Sequence, residues 1–251
     1  LFDIMNIVAV YYNYKEFDKI YIPKTKDSRI EQIVDCGLPC VIATQEKKIN
    51  REGFVLLGAS SRKKGGTSVY AYNFNENDIK TIDVVQIDDN TNHFFGNDKG
   101  VIVNLEIFGK PIRVVSLHTK DLTKINNTLE GFVEGGLHDF LLEKDTIVLG
   151  DFNPPDNTIS NSIKQLVAEQ TDSSYYPEKN VITTKKIRSG YCAQMSKMFN
   201  RKNIELSKDM IFYNGKKENI TESAVYPEVD KLLTKDWSGD HCAVYVTLDH
   251  S

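Results

Sequence analysis

The sequence predicts a single α/β domain, residues 1–251, in which two packed β-sheets are covered by helices. Three observations point there. Short apolar segments of strand length recur along the chain, each rich in Val, Ile, Tyr or Phe and bounded by Gly, Pro, Asn or Asp. Helical patterns are fewer and are interleaved without strict strand–helix alternation, which argues for two sheets over one wound parallel sheet. No Pro/Gly/Ser-rich linker, low-complexity tract or solenoid-period repeat divides the chain.

In order, strands are expected at Asn6–Tyr12, Val41–Thr44, Gly53–Leu57, Ser68–Tyr72, Val84–Ile87, Gly100–Ile107, Lys110–Leu117, Thr146–Leu149, Met210–Tyr213 and Cys242–Leu248. Phe108-Gly109-Lys110 reads as a tight hairpin turn between two of them. A first helix is expected from Asp27 or Ser28 to Val34, with Ile30, Ile33 and Val34 on one face and Glu31 three residues after Ser28, as in a capping box. A second, Asn126 to Leu142, places Leu129, Phe132, Val133, Leu137, Phe140 and Leu141 near helical spacing, although Gly135-Gly136 weakens it. A third spans Ser160–Ala168 with Ile163, Leu166 and Val167 inward.

Composition narrows the function. Lys+Arg 31 against Asp+Glu 35 leaves a net charge of −4, and 40% hydrophobic with 26% charged residues is an ordinary globular mix. That disfavours a disordered chain and one that holds nucleic acid by bulk positive charge. No run approaches the ~18 apolar residues of a membrane-spanning helix, so no stable membrane insertion is expected. Of Cys36, Cys40, Cys192 and Cys242 only the first two are close, and CxxxC has no second pair. Zinc is therefore not expected; free thiols in a reducing, intracellular compartment are. The sequence begins at Leu1, so any leader peptide would lie outside it.

Four segments put metal-capable or proton-transferring groups at the ends of apolar strands, where a rigid scaffold usually carries function. They are Val41 to Glu46, Val114 to Thr119, Thr146 to Pro154, and Trp237 to His241 leading into the last strand. Read as motifs, they are Gln45-Glu46, Leu117-His118-Thr119, Gly150-Asp151-Phe152-Asn153 and Gly239-Asp240-His241. Their identities and order resemble the endonuclease/exonuclease/phosphatase superfamily, the fold of deoxyribonuclease I, in which "QE", "xHx", "GDFN" and "SDH" follow one another over nearly the whole chain. Two softer matches are Asn13, closing the first strand, and Asp209, opening Asp209-Met210-Ile211-Phe212.

The resemblance implies a four-layer α/β sandwich with two packed, mostly antiparallel β-sheets flanked by helices, and a divalent-metal-dependent phosphodiesterase activity. A phosphodiester is an anion that repels hydroxide, and a hard cation held by oxygen ligands cancels that charge. Glu46, Asp240 and Asn13 are the implied ligands, with Mg²⁺ as the ion and Mn²⁺ able to substitute. Asp151 would orient or deprotonate the attacking water. Asn153 would hydrogen-bond a phosphate oxygen or fix Asp151, pointing the same way as Asp151 if the backbone stays extended. His241 would contact the phosphoryl group with Asp209 setting its tautomer, and His118 would stabilise the transition state or protonate the leaving oxygen. Two positions depart from the pattern: Gly239 stands for the usual Ser, and Lys64 to Val69 offers no carboxylate to support His118.

Basic pairs fall on expected loops: Lys47-Lys48, Arg62-Lys63-Lys64, Lys185-Lys186 with Arg188, Arg201-Lys202 and Lys216-Lys217. They read equally as a phosphate-contacting rim or as solvated lysines. Tyr175-Tyr176 and Tyr191 read as base-stacking groups or as core. The continuation Pro154-Pro155 and the segment Lys208-Asp209-Met210 disfavour the inositol-phosphatase branch. A monomeric nuclease acting on DNA or RNA is the first expectation. A lipid or small-molecule phosphoesterase and a catalytically silent binding module on the same fold are the alternatives.

Overall fold

The apolar segments form strands, and polar segments not read as strands complete the sheets beside them. The computed structural model describes residues 6–13, 37–45, 48–61, 66–87, 100–119, 136–177, 181–187, 203–226 and 241–249; residues 6–13, 185–187 and 203–204 are described by backbone alone. Strands are numbered in chain order. One six-stranded sheet runs β13 (Ile220–Tyr226), β14 (Ala243–Asp249), β1 (Asn6–Asn13), β2 (Cys40–Gln45), β4 (Thr67–Tyr72), β3 (Phe54–Ala59). The other runs β5 (Ile79–Ile87), β6 (Gly100–Ile107), β7 (Lys110–His118), β8 (Thr146–Asp151), β12 (Asp209–Asn214), β9 (Ser174–Tyr176). Each is antiparallel except for one parallel pair, β1 with β2 and β7 with β8. A separate ribbon joins β10 (Thr184–Ile187) to β11 (Asn203–Leu206).

The two sheets pack face to face. Val41, Ala43, Val69, Val244 and Val246 from the first meet Val101, Val103, Val114, Ile147, Leu149 and Ile211 from the second in one buried cluster. The opposite face of the second sheet, through Val115, Leu117, Val148, Met210 and Phe212, is covered by Leu137, Phe140 and Leu141 and by Ile163 and Val167. Phe140 belongs to a short helix α1 (His138–Phe140); Ile163 and Val167 belong to α2 (Asn157–Thr171). A helical layer thus covers one outer face. On the other outer face Cys40, Ile42, Tyr70, Cys242 and Ala243 form their own buried cluster, and no helix packs on it among the described residues. Both described cysteines, Cys40 and Cys242, are buried free thiols, and burial pushes the Cys242 thiol far up, helped by the charge of Asp209.

The Phe108-Gly109 turn closes the β6–β7 hairpin with both residues at positive φ, 50° and 77°. Helix α2 begins three residues earlier than its apolar period suggests. Asp156 caps it by accepting from the Ile159 amide at 2.8 Å. Asp172 ends it in the left-handed region at φ 55°. The helix expected between Asn126 and Leu142 is described only from residue 136, where its last turn is helical. The one expected near Ser28 lies outside the described residues.

Candidate active site

Strand register assembles the site. Parallel pairing puts His118 beside Asp151, and antiparallel pairing puts Asp209 on the other side of Asp151. Three neighbouring strands of one sheet therefore end together on these side chains. Each letter of the Gly150-Asp151-Phe152-Asn153 run has its own task. A Cβ at Gly150 would lie 2.5 Å from the Leu117 carbonyl oxygen, so only glycine lets β8 approach β7 this closely. Phe152 is fully buried and meets Phe212 edge-on, with ring centroids 5.5 Å apart. That contact anchors the turn on which the two polar residues sit.

The backbone does not stay extended after Asp151. Asn153 lies at φ 45°, a left-handed conformation that asparagine tolerates. The turn brings the Asn153 amide back to donate to Asp151 Oδ1 at 3.0 Å. The Asn153 side chain is held at both ends: Nδ2 donates to the Thr119 carbonyl at 3.2 Å, and Oδ1 accepts from Lys208 Nζ at 2.8 Å. Thr119 is held in turn, its amide donating to the Asp151 carbonyl at 3.0 Å.

His241 Nδ1 lies 3.0 Å from both oxygens of Asp209. An ionised carboxylate only accepts, so Nδ1 carries the proton and Nε2 is left as the ring's other nitrogen. Thr184 Oγ1 donates to Asp209 Oδ2 at 3.0 Å and sits 3.3 Å from His241 Nδ1. Thr183 Oγ1 accepts from the amides of Lys208 and Asp209, both at 3.0 Å. His118 Nε2 is 3.9 Å from Asp151 Oδ2. These groups are deeply placed: Asp209 is 0% exposed, Asp151 and His241 3%, His118 and Lys208 7%.

Burial pushes the Asp151 carboxyl up, but the charges of His241, His118 and Lys208 and the Asn153 amide outweigh it and hold the group below its ordinary value. Asp151 is therefore an ionised base in a nearly dry pocket. One oxygen or nitrogen each from Asp151, Asp209 and His241 lie within 4.8 Å of one another, close enough to hold a cation.

Of the residues expected at the site, His118, Asp151, Asn153, Asp209 and His241 come together. Glu46 and Asp240 lie outside the described residues. Asn13 is described by its backbone, which pairs with Gln45 in parallel. In the order β14–β1–β2, the start of one strand adjoins the ends of the other two. In the chain, Asn13 closes β1, Glu46 follows the last residue of β2, and Asp240 stands three positions before the first residue of β14. Thr183, Thr184 and Lys208 lie outside the motifs and Thr119, the last residue of Leu117-His118-Thr119, has no expected role; the sequence signal among the first three is the lysine preceding Asp209. The basic pair Lys216-Lys217 and Tyr175 lie at the other end of the second sheet, around an open cavity, away from these groups. Lys185-Lys186, expected on a loop, belong to β10.

No protein-family model and no curated relative matches the sequence. Comparison with solved structures does yield matches over nearly full length. TDP2 of D. rerio, complexed with a single-strand DNA product, superposes with a TM-score of 0.64 at 13% identity, covering 96% of this chain and 98% of that one. The chain has the endonuclease/exonuclease/phosphatase fold. The endonuclease domain of TRAS1, a telomere-specific non-LTR retrotransposon, gives 0.56 at 15% identity with 97% of both chains covered. Cimex nitrophorin, in its ferrous NO complex, gives 0.53 at 12% identity, again with 97% of both chains covered. One scaffold therefore carries DNA processing in some proteins and a ferrous NO complex in another, and function has to be argued from the site.

Proposed function

We propose that this chain is a divalent-metal-dependent phosphodiesterase and, within that class, a nuclease acting on DNA or RNA. The observation that carries the proposal is the buried pairing of two carboxylates with two imidazoles, Asp151 near His118 and Asp209 on His241. Ion pairs this dry are costly to maintain for structure alone. They suit proton transfer around a phosphoryl group. The fold shared with TDP2 and the TRAS1 endonuclease supports the same reading.

Glu46, Asp240 and Asn13 would hold the cation, which supplies charge neutralisation and polarisation at the phosphoryl oxygen. A feature of the described residues fits a hydrated Mg²⁺ beside Glu46. Gln45 is fully buried and donates through Nε2 to Thr67 Oγ1 at 3.4 Å, while Thr67 Oγ1 gives its own proton to the Thr44 carbonyl at 3.0 Å. Among the described residues Gln45 Oε1 is left as a buried acceptor without a hydrogen-bond partner. A strongly hydrated ion brings O–H donors that such an acceptor needs. Mn²⁺ would substitute on the same oxygen ligands.

The chain's own groups then divide the work. Asp151, ionised and held by the Asn153 amide, takes a proton from the attacking water at one carboxylate oxygen. His241, its Nδ1–H held by Asp209, donates from Nε2 to a non-bridging phosphoryl oxygen in its doubly protonated form. His118 stands across Asp151, placed to donate to the leaving oxygen. Asn153 Nδ2, already directed by Thr119 and Lys208, keeps a second hydrogen for a phosphate oxygen.

The second reading, a silent binding module, is favoured by the nitrophorin likeness. The two separate in one experiment with bis(p-nitrophenyl) phosphate, single- and double-stranded DNA, RNA, sphingomyelin and inositol phosphates. We expect cleavage of phosphodiesters that requires Mg²⁺ or Mn²⁺ and is abolished by a chelator. It should fall by about 10²–10⁴-fold in Asp151→Ala and in His241→Ala. No cleavage of any substrate, or undiminished cleavage in both variants, would overturn the assignment.

A further inference from the structure

We infer that Lys208 is a positioning residue of this site, fixing the side-chain amide of Asn153 in one orientation and steadying the Asn153 turn whose backbone amide holds the carboxylate of Asp151. The inference rests on the phosphodiesterase reading and extends it to a residue outside the recognised motifs.

The backbone of Lys208 is anchored on every side. Helix α2 grips the residue before it at three atoms. Asn157 Oδ1 accepts from the Ser207 amide at 2.8 Å, Ser160 Oγ donates to the Ser207 carbonyl at 2.7 Å, and Lys164 Nζ donates to Ser207 Oγ at 3.1 Å. Asn157, Ser160 and Lys164 recur at helical spacing, so one face of the helix presents all three. Lys208 itself donates its amide to Thr183 Oγ1 at 3.0 Å and accepts from the Phe152 amide at 2.9 Å. The next residue, Asp209, is paired with His241. A lysine on a free loop would carry considerable rotamer freedom; this one starts from a backbone with little left.

The side chain is correspondingly specific. It is 7% exposed, unusual for a residue that normally keeps its ammonium in water. Its Nζ donates to Asn153 Oδ1 at 2.8 Å, and an ammonium can only donate, so the oxygen of that amide must face Lys208. The nitrogen then faces the Thr119 carbonyl, as the structure has it. Without the ammonium, rotation about the last side-chain bond of Asn153 would replace the donor at the substrate side with an acceptor. The backbone amide of Asn153 donates to Asp151 Oδ1 at 3.0 Å, so a side chain anchored at Lys208 also steadies the turn that holds the base. After His241 and His118, Lys208 is a further positive charge that opposes the effect of burial on Asp151.

The test is a double-variant cycle on bis(p-nitrophenyl) phosphate with Mg²⁺, using Lys208→Met, Lys208→Arg, Asn153→Ala and the Lys208→Met/Asn153→Ala pair. Lys208→Met is expected to lower kcat by about 10–100-fold while KM moves less than about twofold. Lys208→Arg should recover most of the loss, and the double variant should be no slower than Asn153→Ala alone. Multiplying losses in the double variant, or an unchanged kcat in Lys208→Met, would overturn the inference. A second measurement does not need turnover: the Asn153 side-chain NH₂ resonances, assigned by their loss in Asn153→Ala, should be shifted from random-coil positions and protected from solvent exchange in the parent, and should move toward random-coil positions with faster exchange in Lys208→Met. Identical resonances in both would also overturn it. If Asn153→Ala keeps full activity, the active-site reading fails instead, and the resonances still decide the Lys208–Asn153 link.

Discussion

Strands β8 and β12 carry similar residues at both ends, yet the two ends are built on different bonds. At one end Asp151 and Asp209 lie among His118, Lys208 and His241, and charge meets charge under burial. At the other, Asp145 precedes β8 and Asn214 closes β12, with Lys144, Lys216 and Lys217 nearby. There the polar groups tie loops down. Asn214 Nδ2 donates to the carbonyls of Leu141 and Glu143, Asp145 exchanges backbone contacts with Asn214 and Arg113, and the Tyr213 hydroxyl reaches Asp145 Oδ1 at 3.4 Å. A polar residue at a strand end is thus uninformative by itself. Both ends contain ionisable side chains that bond one another, Arg113 with Glu143 at 2.6 Å at the second end, and what distinguishes them is burial: Glu143 is largely exposed, whereas Asp151, Asp209 and His241 are at most 3% exposed.

The sharpest way to break the comparison is at Asp209. Asp209→Asn keeps the shape and the Thr184 contact but replaces an acceptor for the His241 Nδ1 proton with an amide that can turn a donor toward it. We expect kcat on a phosphodiester substrate to fall by about 10–100-fold, the usual scale for a residue that orients another, with an unfolding midpoint close to the parent. Equal rates in variant and parent would make the Asp209–His241 pair a structural ion pair and erase the difference between the ends.

How far the sequence reveals this arrangement depends on where each residue gets its constraint. Gly150, Asp151, Phe152 and Asn153 are legible because four local demands fall on four consecutive residues: close strand approach, a base, a core anchor and a tolerant turn. Strands β6, β7 and β8 are legible because their apolar residues are buried between layers. Strands β10, β11 and β13 are not, since Thr184–Ile187, Asn203–Leu206 and Ile220–Tyr226 mix charged and polar residues and become strands by pairing with a neighbour. The first half of β5 is hidden for the same reason: it is an exposed edge carrying Lys80, Thr81 and Asp83. Thr184 is illegible as a site residue because its partners lie 25 and 57 positions away. Nothing local to a threonine announces such contacts.

A smaller effect is expected from the opposite end. Asn214 is buried, and Asn214→Ala would strand the Leu141 and Glu143 carbonyls without their donor. The loss should be about 1–3 kcal/mol of stability by urea unfolding, with kcat unchanged. A matching fall in kcat per folded molecule would mean that the two ends are coupled along β12, and the division drawn above would not hold.

The smallest effect, and the one that tests the support behind the catalytic end, concerns Lys164. Its side chain is fully buried on α2 against Ser207, and burial brings its ammonium down to about 8 from 10.5. A lysine depressed in the folded state binds its proton more weakly there than in the unfolded chain. Stability from this group is therefore full above the unfolded value, and lost as pH falls through the folded one. At neutral pH the buried charge costs roughly 3 kcal/mol before its bond to Ser207 is counted. Lys164→Met removes the cost and the bond together, so we expect a net gain of about 1–2 kcal/mol at pH 7. That gain should shrink as pH rises from about 8 through 10.5, above which the parent's lysine is neutral in both states. Urea unfolding of parent and variant across that window measures it directly. A pH-independent difference would place the ammonium in contact with water. A loss of stability at pH 7 would mean that the grip on Ser207 outweighs the buried charge, and that the catalytic end depends on α2 for its stability as well as its geometry.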